Sequence, residues 1–519
     1  MVTSRQVDQP SFSPQVVNRV VDMLKRSTRS ETQEAWLSAV CSRVSRQKPR
    51  LAGVFVDLLG VSPLESDPLG HLQIGEVSVC YEALLATLDS ASRRDRGQFF
   101  TPDDAARFMA ERAVDFPSGV WLDPCCGVGN LAWHLAAVQP DPASFVAESL
   151  ILIDKDATAL LSAIALLAGE YLADGDEAAL RRFYSTSQPS RDALTKRPLP
   201  EHDFVIMNPP YTRALSPACI VHTTECRDLF AFFMERVLLS SRGFVAVTPA
   251  SYLSAPKFAP LRELINTMRG GDIYVFDNVP DTLFRGYKYG SNNTSKTNFV
   301  RAAVTVCSPS STEWRITPIL RWKAESRVRM FAKASDFLLP RRIGPHGEWV
   351  KLVPGAGKAW DRLLTVRRRL SDLVTHEKTP WHLDVALTPR YYVSASVRVL
   401  DRSSKATLYF PDRSTRDIAL VVLNSSVPYL MWRALDGGVT LPRRVLMSVP
   451  IPDLPKDLSN LVGRLSRSER SNVTIKINAG RNNENVRHPS SLVADLDGLV
   501  LPEILESSGL LYAADMFSL

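Results

Sequence analysis

The nonapeptide Asp203–Tyr211, D-F-V-I-M-N-P-P-Y, sets an amide side chain, two prolines and an aromatic ring at the end of a short apolar run. Pro209 and Pro210 fix their own φ and remove two N–H donors, so the carbonyls around them cannot all be paired in a ladder and can accept from something else. Asn208 adds a side-chain amide oxygen beside them. A rigid cluster of acceptors next to Tyr211 suits a flat group bearing an NH2: the acceptors take its hydrogens and the ring stacks on its face. The exocyclic amine of a nucleobase fits that description. A proline-rich turn after a core strand has the same local pattern, so the weight of N-P-P-Y rests on its context.

That context lies upstream. Residues 120–136, V-W-L-D-P-C-C-G-V-G-N-L-A-W-H-L-A, read as a strand running into Asp123, a tight turn with Cys125, Gly127 and Gly129, and a helix from Asn130. Glycines in a strand-to-helix turn let the backbone approach a ligand closely. The third glycine of the pyrophosphate fingerprint is absent and an Asp-Pro precedes the turn, which disfavours a diphosphate and favours a cationic or hydroxyl-rich ligand. A second strand, E-S-L-I-L-I-D-K-D, ends in Asp154 and Asp156. Asp154 is placed to accept from ribose hydroxyls, and Asp156 to cap the helix that follows. Ahead of all this, G-Q-F-F-T-P at 97–102 leads into a sharp helix start, with Thr101 expected as N-cap and Pro102 at the first helical position. The strand Phe204–Met207 carries N-P-P-Y in turn.

A chain of 519 residues with 45% hydrophobic and 23% charged content is ordinary for a folded protein of several domains. Its N-terminus has no apolar leader, and no run approaches the roughly 20 apolar residues of a membrane span, so a cytoplasmic protein with no membrane partner is expected. The seven cysteines are scattered without C-x-x-C or a Cys/His cluster, which argues against disulfides and structural zinc; no metal is expected. Charge is uneven: residues 1–312 carry net −3, 313–450 net +12 and 451–519 net −2. Basic residues concentrated in one block suggest a polyanion partner. That block mixes Arg341-Arg342, Arg367-Arg368-Arg369 and Arg443-Arg444 with Tyr391-Tyr392, Tyr409-Phe410, Tyr429 and Trp432.

With G-Q-F-F-T-P, D-P-C-C-G-V-G (123–129), Asp154 and N-P-P-Y in this order, the chain resembles the γ-type N6-adenine DNA methyltransferases of restriction-modification systems. The resemblance covers about residues 75–310 and implies an α/β fold: a Rossmann-like class I S-adenosylmethionine-dependent methyltransferase domain at 91–312. An N-terminal helical region (1–90) would precede it. A basic, mixed α/β target-recognition domain (313–455) and a C-terminal helical and loop extension (456–519) would follow.

The resemblance also implies roles. Thr101, Asp123, Cys125, Gly127, Gly129 and Asp154 would hold S-adenosyl-L-methionine. Asn208 and the Pro209 carbonyl, with Pro210 shaping the turn, would accept from an adenine N6 amine, and Tyr211 would stack on the flipped base. In the polar loop 281–297, read from its own residues, Phe284 is either loop packing or a face toward the substrate base, and Arg285 and Lys288 suit a clamp on the DNA backbone. Double-stranded DNA would be the partner, with a separately encoded restriction endonuclease as a second. Such families usually carry an acidic residue before the N-P-P-Y strand to read the cofactor's adenine; here that stretch is R-F-Y-S-T-S-Q (182–188), where Ser185 or Thr186 is an alternative and the position stays unassigned. Two other readings remain: a methyltransferase of protein glutamine amides or RNA amines, and a non-catalytic DNA-specificity subunit.

Overall fold

The computed structural model describes residues 14–88, 101–187, 192–284, 288–289, 292–293, 300–389, 391–478 and 481–518. They form two compact units. One comprises the chain up to Pro249 with Lys257–Asp272 and Thr282–Glu313; the other comprises Ala250–Pro256, Ile273–Asp281 and Trp314–Leu519.

The first unit opens with helices α1 (Pro14–Leu24), α2 (Arg29–Gln47), α3 (Ala52–Leu59) and α4 (Ile74–Leu88). A capping box fixes the start of α2: Thr28 accepts from the Glu31 N–H while the Glu31 carboxylate accepts from Thr28. Trp36 on α2 is fully buried and its Nε1 donates to Ser162 at 2.9 Å. Helix α2 thereby docks on the sheet domain through α7 (Ala157–Tyr171).

The sheet of this unit contains β1 (Trp121–Asp123), β2 (Leu150–Leu152), β3 (Phe204–Met207), β4 (Gly243–Pro249) and β5 (Ala302–Cys307). All but the last residue of β4 are buried, as continuous apolar runs in a covered, largely parallel sheet must be. The order is β5-β4-β3-β1-β2. β1 pairs in parallel with both β2 and β3, β3 with β4, and only the β4–β5 pair is antiparallel. This is the expected class I, Rossmann-like plan. Because β2 and β3 lie on opposite sides of β1, the connections leaving β1 and β3 diverge, and an open α/β sheet binds ligands at such a switch point. Both chemical motifs leave the sheet there: Asp123-Pro124 follows β1, and Asn208-Pro209 follows β3.

The second unit holds the strand Trp314–Leu320, a three-stranded antiparallel sheet of His382–Ala386 flanked by Ala395–Ser396 and Lys405–Tyr409, and two helices, Arg413–Leu423 and Val427–Leu435. These two helices form a pair bent by 60°. Pro428 starts the second member, and Asp497 accepts from the N–H and hydroxyl of Ser426 in the break. The C-terminal extension contains an antiparallel hairpin of Val473–Asn478 and Arg481–Val486. Val473, Ile475 and Ile477 alternate with polar residues at the period of a strand. Among the described residues no single helix is long and apolar enough to cross a membrane.

Several members of the basic block are internal. Arg321 and Arg433 both donate to Asp277, at 3.1 and 2.6 Å, and Arg321 also donates to the Tyr429 hydroxyl. Arg444 pairs with Glu348 and Asp436, and Arg341 lies over the Trp349 ring at 4.4 Å. Tyr429 and Trp432 are core residues, with Tyr429 stacked on Tyr512. Arg367, Arg368 and Arg443 remain exposed. Charge in this block therefore serves folding as well as surface potential, because the arginines must neutralise buried carboxylates.

Candidate active site

Each strand end delivers its residues through local backbone chemistry. After β1 the chain turns at Gly127 (φ 55°) and Gly129 (φ 90°), in the left-handed region where side chains are strained. The two glycines differ in what surrounds them. A Cβ at Gly127 would meet nothing within 4 Å, leaving a cradle, whereas one at Gly129 would sit 3.0 Å from the Ala163 Cβ of α7. Gly129 thus allows α6 (Asn130–Ala137) to pack close to α7. Gly129→Val is expected to destabilise the unit by about 2–4 kcal/mol through strain and overpacking, read from denaturant midpoints.

At the end of β2, Asp154 accepts from the Gly127 N–H and the Asp156 N–H, both at 2.8 Å. Its oxygens keep further acceptor capacity toward the cavity. Asp156 caps α7 through the N–H groups of Thr158 and Ala159 and accepts from the Tyr81 hydroxyl at 2.8 Å. Asp156 thus caps the helix as expected.

Thr101 differs from its expectation. Helix α5 (Asp103–Glu111) has Pro102 at its N-cap position and no side-chain cap. The Thr101 hydroxyl instead accepts from Asn208 Nδ2 at 2.9 Å, and its carbonyl accepts from Asn130 Nδ2 at 2.7 Å. One residue therefore ties the turn after β1 to the turn after β3. With its nitrogen engaged by Thr101, the Asn208 carboxamide presents oxygen as its acceptor atom. Pro209 is buried, and Tyr211 donates its hydroxyl to the Val247 carbonyl at 2.9 Å. Phe230 and Phe284 pack edge-on against the Tyr211 ring, with centroids 6.4 and 5.9 Å away. Phe284 is buried at 2% exposure and acts as a ring-positioning neighbour. Arg285 and Gly97–Phe100 lie outside the described residues, and Lys288 is described only as backbone in a short strand.

The chain after Tyr211 forms a closed loop. The Leu229 N–H donates to the Thr212 carbonyl at 2.9 Å where α9 (Leu229–Leu238) begins. Glu235, fully buried on α9, accepts from the N–H groups of Val221, His222 and Thr223 and from the Thr223 hydroxyl. Burial alone would raise its pKa, but those bonds outweigh it and hold the carboxylate below its usual range.

A cavity of about 860 Å³ lies over the switch point. Thr101, Cys125, Gly127, Asp154 and Asn208 line it, so most of the expected cofactor residues are brought together; Gly129 and Asp123 stand behind the wall. Two features were not anticipated. Helices α2 and α4 contribute Arg29, Ser78 and Tyr81 to the lining, so the N-terminal helices are part of the site. Asp192 also lines the cavity, whereas Ser185 and Thr186 spend their hydroxyls on the Arg182 carbonyl at the end of α8 (Glu177–Thr186). Asp192 is an acidic residue ahead of the N-P-P-Y strand, four residues beyond the stretch 182–188. Among the described residues no group of three or more His, Cys, Asp or Glu is arranged to hold a metal ion.

Burial, opposed in part by the Cys125 N–H, pushes Asp123 up to about 8; burial, opposed by the Asp156 and Gly127 N–H groups, pushes Asp154 up to about 6. A carboxylate raised in the folded state holds its proton more tightly than the unfolded chain does, so the ligand-free protein loses stability as pH rises from about 4 toward these values. Ligand hydroxyls favour ionised Asp154. Affinity for a ribose-containing ligand is expected to fall about tenfold per pH unit below about 6 and to level off above it, measurable by titration calorimetry between pH 5 and 8.

Residues 73–229 match the family model of the N-6 DNA methylases. That segment holds the two turns and, Phe233 apart, the cavity lining from α4 onward. No curated protein sequence matches the chain. Solved structures with a similar course include the type IIG restriction endonuclease BpuSI, 13% identical, with a TM-score of 0.45 over 97% of this chain and 79% of that one. The protein in the DrdV–DNA complex is 15% identical, with a TM-score of 0.40 over 72% of this chain and 46% of that one. The type I restriction-modification methyltransferase subunit from Streptococcus thermophilus is 14% identical, with a TM-score of 0.35 over 63% and 75%.

The residues fit the cofactor on their own chemistry. Gly127 leaves a cradle a Cβ would fill, Asp154 offers acceptors for ribose hydroxyls, and the buried Asn130 Oδ1 and Asp123 Oδ2 have no partner among the described residues.

Proposed function

We propose that the chain is a site-specific, adenine-specific DNA methyltransferase that transfers a methyl group from S-adenosylmethionine to the N6 amine of an adenine flipped out of duplex DNA. The single observation that carries the reading is the Asn208–Thr101 bond at 2.9 Å, which fixes the amine-accepting turn against the wall of the cofactor cavity. Asp154 would hold the ribose hydroxyls and Asp192 the adenine amine of the cofactor. The bound cofactor supplies an electrophilic methyl group.

The chain's own part is positioning. The Asn208 oxygen and the Pro209 carbonyl accept the two N6 hydrogens, which draws the nitrogen lone pair out of conjugation and toward the methyl carbon. The surplus N6 proton of the methylated amine would leave along the hydrogen bond to its acceptor and on to water. Holding two reactants in attack geometry can supply about 7–11 kcal/mol of barrier reduction, so a strong base is not required. Tyr211, its plane set by Val247, Phe230 and Phe284, gives the extrahelical base a stacking face worth about 1–3 kcal/mol. The basic second unit would read the target: exposed Arg367, Arg368 and Arg443 are candidate phosphate contacts, which position the protein without reading sequence. Such a protein would act in the cytoplasm, paired with a separately encoded endonuclease where it belongs to a restriction-modification system.

The test is transfer of labelled methyl from S-adenosylmethionine to unmethylated duplex DNA, followed by nucleoside analysis. N6-methyladenine is the expected product. Label in cytosine, in RNA or in protein, or no label despite cofactor binding, would overturn the reading.

A further inference from the structure

The wall contributed by α4 carries a polar atom that the protein itself leaves unused. Ser78 is 2% exposed, lines the cavity, and its hydroxyl has no hydrogen-bond partner among the described residues. A helical serine ordinarily bonds the carbonyl one turn back. Asn130, 4% exposed, lines the same cavity; its Nδ2 is spent on the Thr101 carbonyl while its Oδ1 has no partner among the described residues. Leaving such atoms buried and unmatched is unfavourable, so each points to a ligand group.

Asn130 marks the end of the cavity beside Thr101, whose carbonyl it bonds. Helix α4 reaches the same region: the Asp103 carboxylate, two residues from Thr101, occupies the place where a Cβ on Gly75 would project, and it bonds His134 at 3.0 Å. Ser78 is one turn beyond Gly75 on α4, between it and Tyr81, which bonds Asp156 at the ribose end.

Resting on the reading that the cavity takes S-adenosylmethionine, we propose that Ser78 and Asn130 bind its amino-acid end, the hydroxyl donating to the α-carboxylate and the amide oxygen accepting from the α-ammonium. The chemistry is complementary in both senses: an amide oxygen can only accept, and so matches a group that can only donate, while the hydroxyl serves the neighbouring anion. A sugar or base in this position has no such paired requirement. The N-terminal helices thereby become a specificity element that separates the intact cofactor from nucleosides lacking the amino acid.

Binding of two ligands to the full chain tests this: S-adenosylhomocysteine, and 5′-methylthioadenosine, which has no amino-acid portion. Ser78→Ala and Asn130→Ala are each expected to weaken S-adenosylhomocysteine about tenfold to a hundredfold, as for a lost hydrogen bond to a charged group, and to leave 5′-methylthioadenosine within about twofold. Ser78→Ala should also keep or raise the thermal midpoint of the ligand-free protein, because it removes an unmatched buried hydroxyl; this keeps the test sound if Asn130→Ala unfolds. Equal losses for both ligands, or no loss for either, would overturn the assignment. Failure of the natural chain to bind either ligand would instead overturn the cofactor reading on which it stands.

Discussion

Replacing Asn208 by Ala is expected to lower the turnover of methyl transfer by about 10²–10³-fold, the scale seen when one preorganised polar group is removed from a transition-state site. The reasoning is geometric. Asn208 is held by Thr101 at 2.9 Å, so its carboxamide is oriented before substrate arrives and reorients little during reaction. Its acceptor acts on the amine as that nitrogen leaves planarity, which makes the interaction stronger in the transition state than in the ground state. Cofactor affinity should change by only a few-fold, since Asp154 and the Gly127 turn remain intact. Single-turnover rates with saturating S-adenosylmethionine, set beside dissociation constants for S-adenosylhomocysteine, separate the two effects. A variant that keeps its turnover would remove Asn208 from the reaction; one that loses cofactor binding in proportion would assign it to the wrong ligand.

The largest effect on stability is expected at Asp277. Its carboxylate accepts from Arg321 and Arg433, which are 2% and 7% exposed. Asp277→Ala leaves two guanidinium groups buried without their shared anion and should cost about 3–5 kcal/mol. In a unit of this size that lowers the melting midpoint by roughly 10 °C. The pair Arg342–Asp361 supplies the contrast: both side chains are substantially exposed, so Arg342→Ala should cost about 0–1 kcal/mol. Similar losses for the two variants would mean that Asp277 and its arginines relax toward water, and that the ion cluster is not a folding element.

The chemical core was legible because it is written in local backbone rules. Gly127 and Gly129 announce a strand-to-helix turn, the two prolines stop β3, and Asp154 and Asp156 follow an apolar run at the spacing of the next strand. What could not be read depended on partners distant in the chain. Thr101-Pro102-Asp103 has every mark of a cap, yet its hydroxyl is taken by Asn208, 107 residues away. Ser78 and Tyr81 look like ordinary positions on a helix until α4 is laid over the sheet. Arg321, Arg433 and Arg444 counted as surface charge because composition does not say which carboxylates are buried. The hairpin after Asn472 was hidden by its asparagines, although Val473, Ile475 and Ile477 keep a strand's period. Asp192 shows the limit of counting back from a motif, since a loop before β3 can carry a side chain into the cavity from several residues beyond the expected position.

The chain's route between the units bears on how such proteins can exchange specificity. Ala250–Pro256 and Ile273–Asp281 belong to the same unit as Trp314–Leu519, although both are flanked by segments of the methylase unit. Transplanting residues 314–519 alone from a relative would therefore divide that unit. It would pair a foreign Arg321 and Arg433 with the resident Asp277, and a foreign Lys351 and Arg444 with the resident Ser254 they bond here. Recombination that replaces the C-terminal block and leaves the protein foldable must move the two short inserts with it, or keep their anchoring residues constant on both sides of every junction.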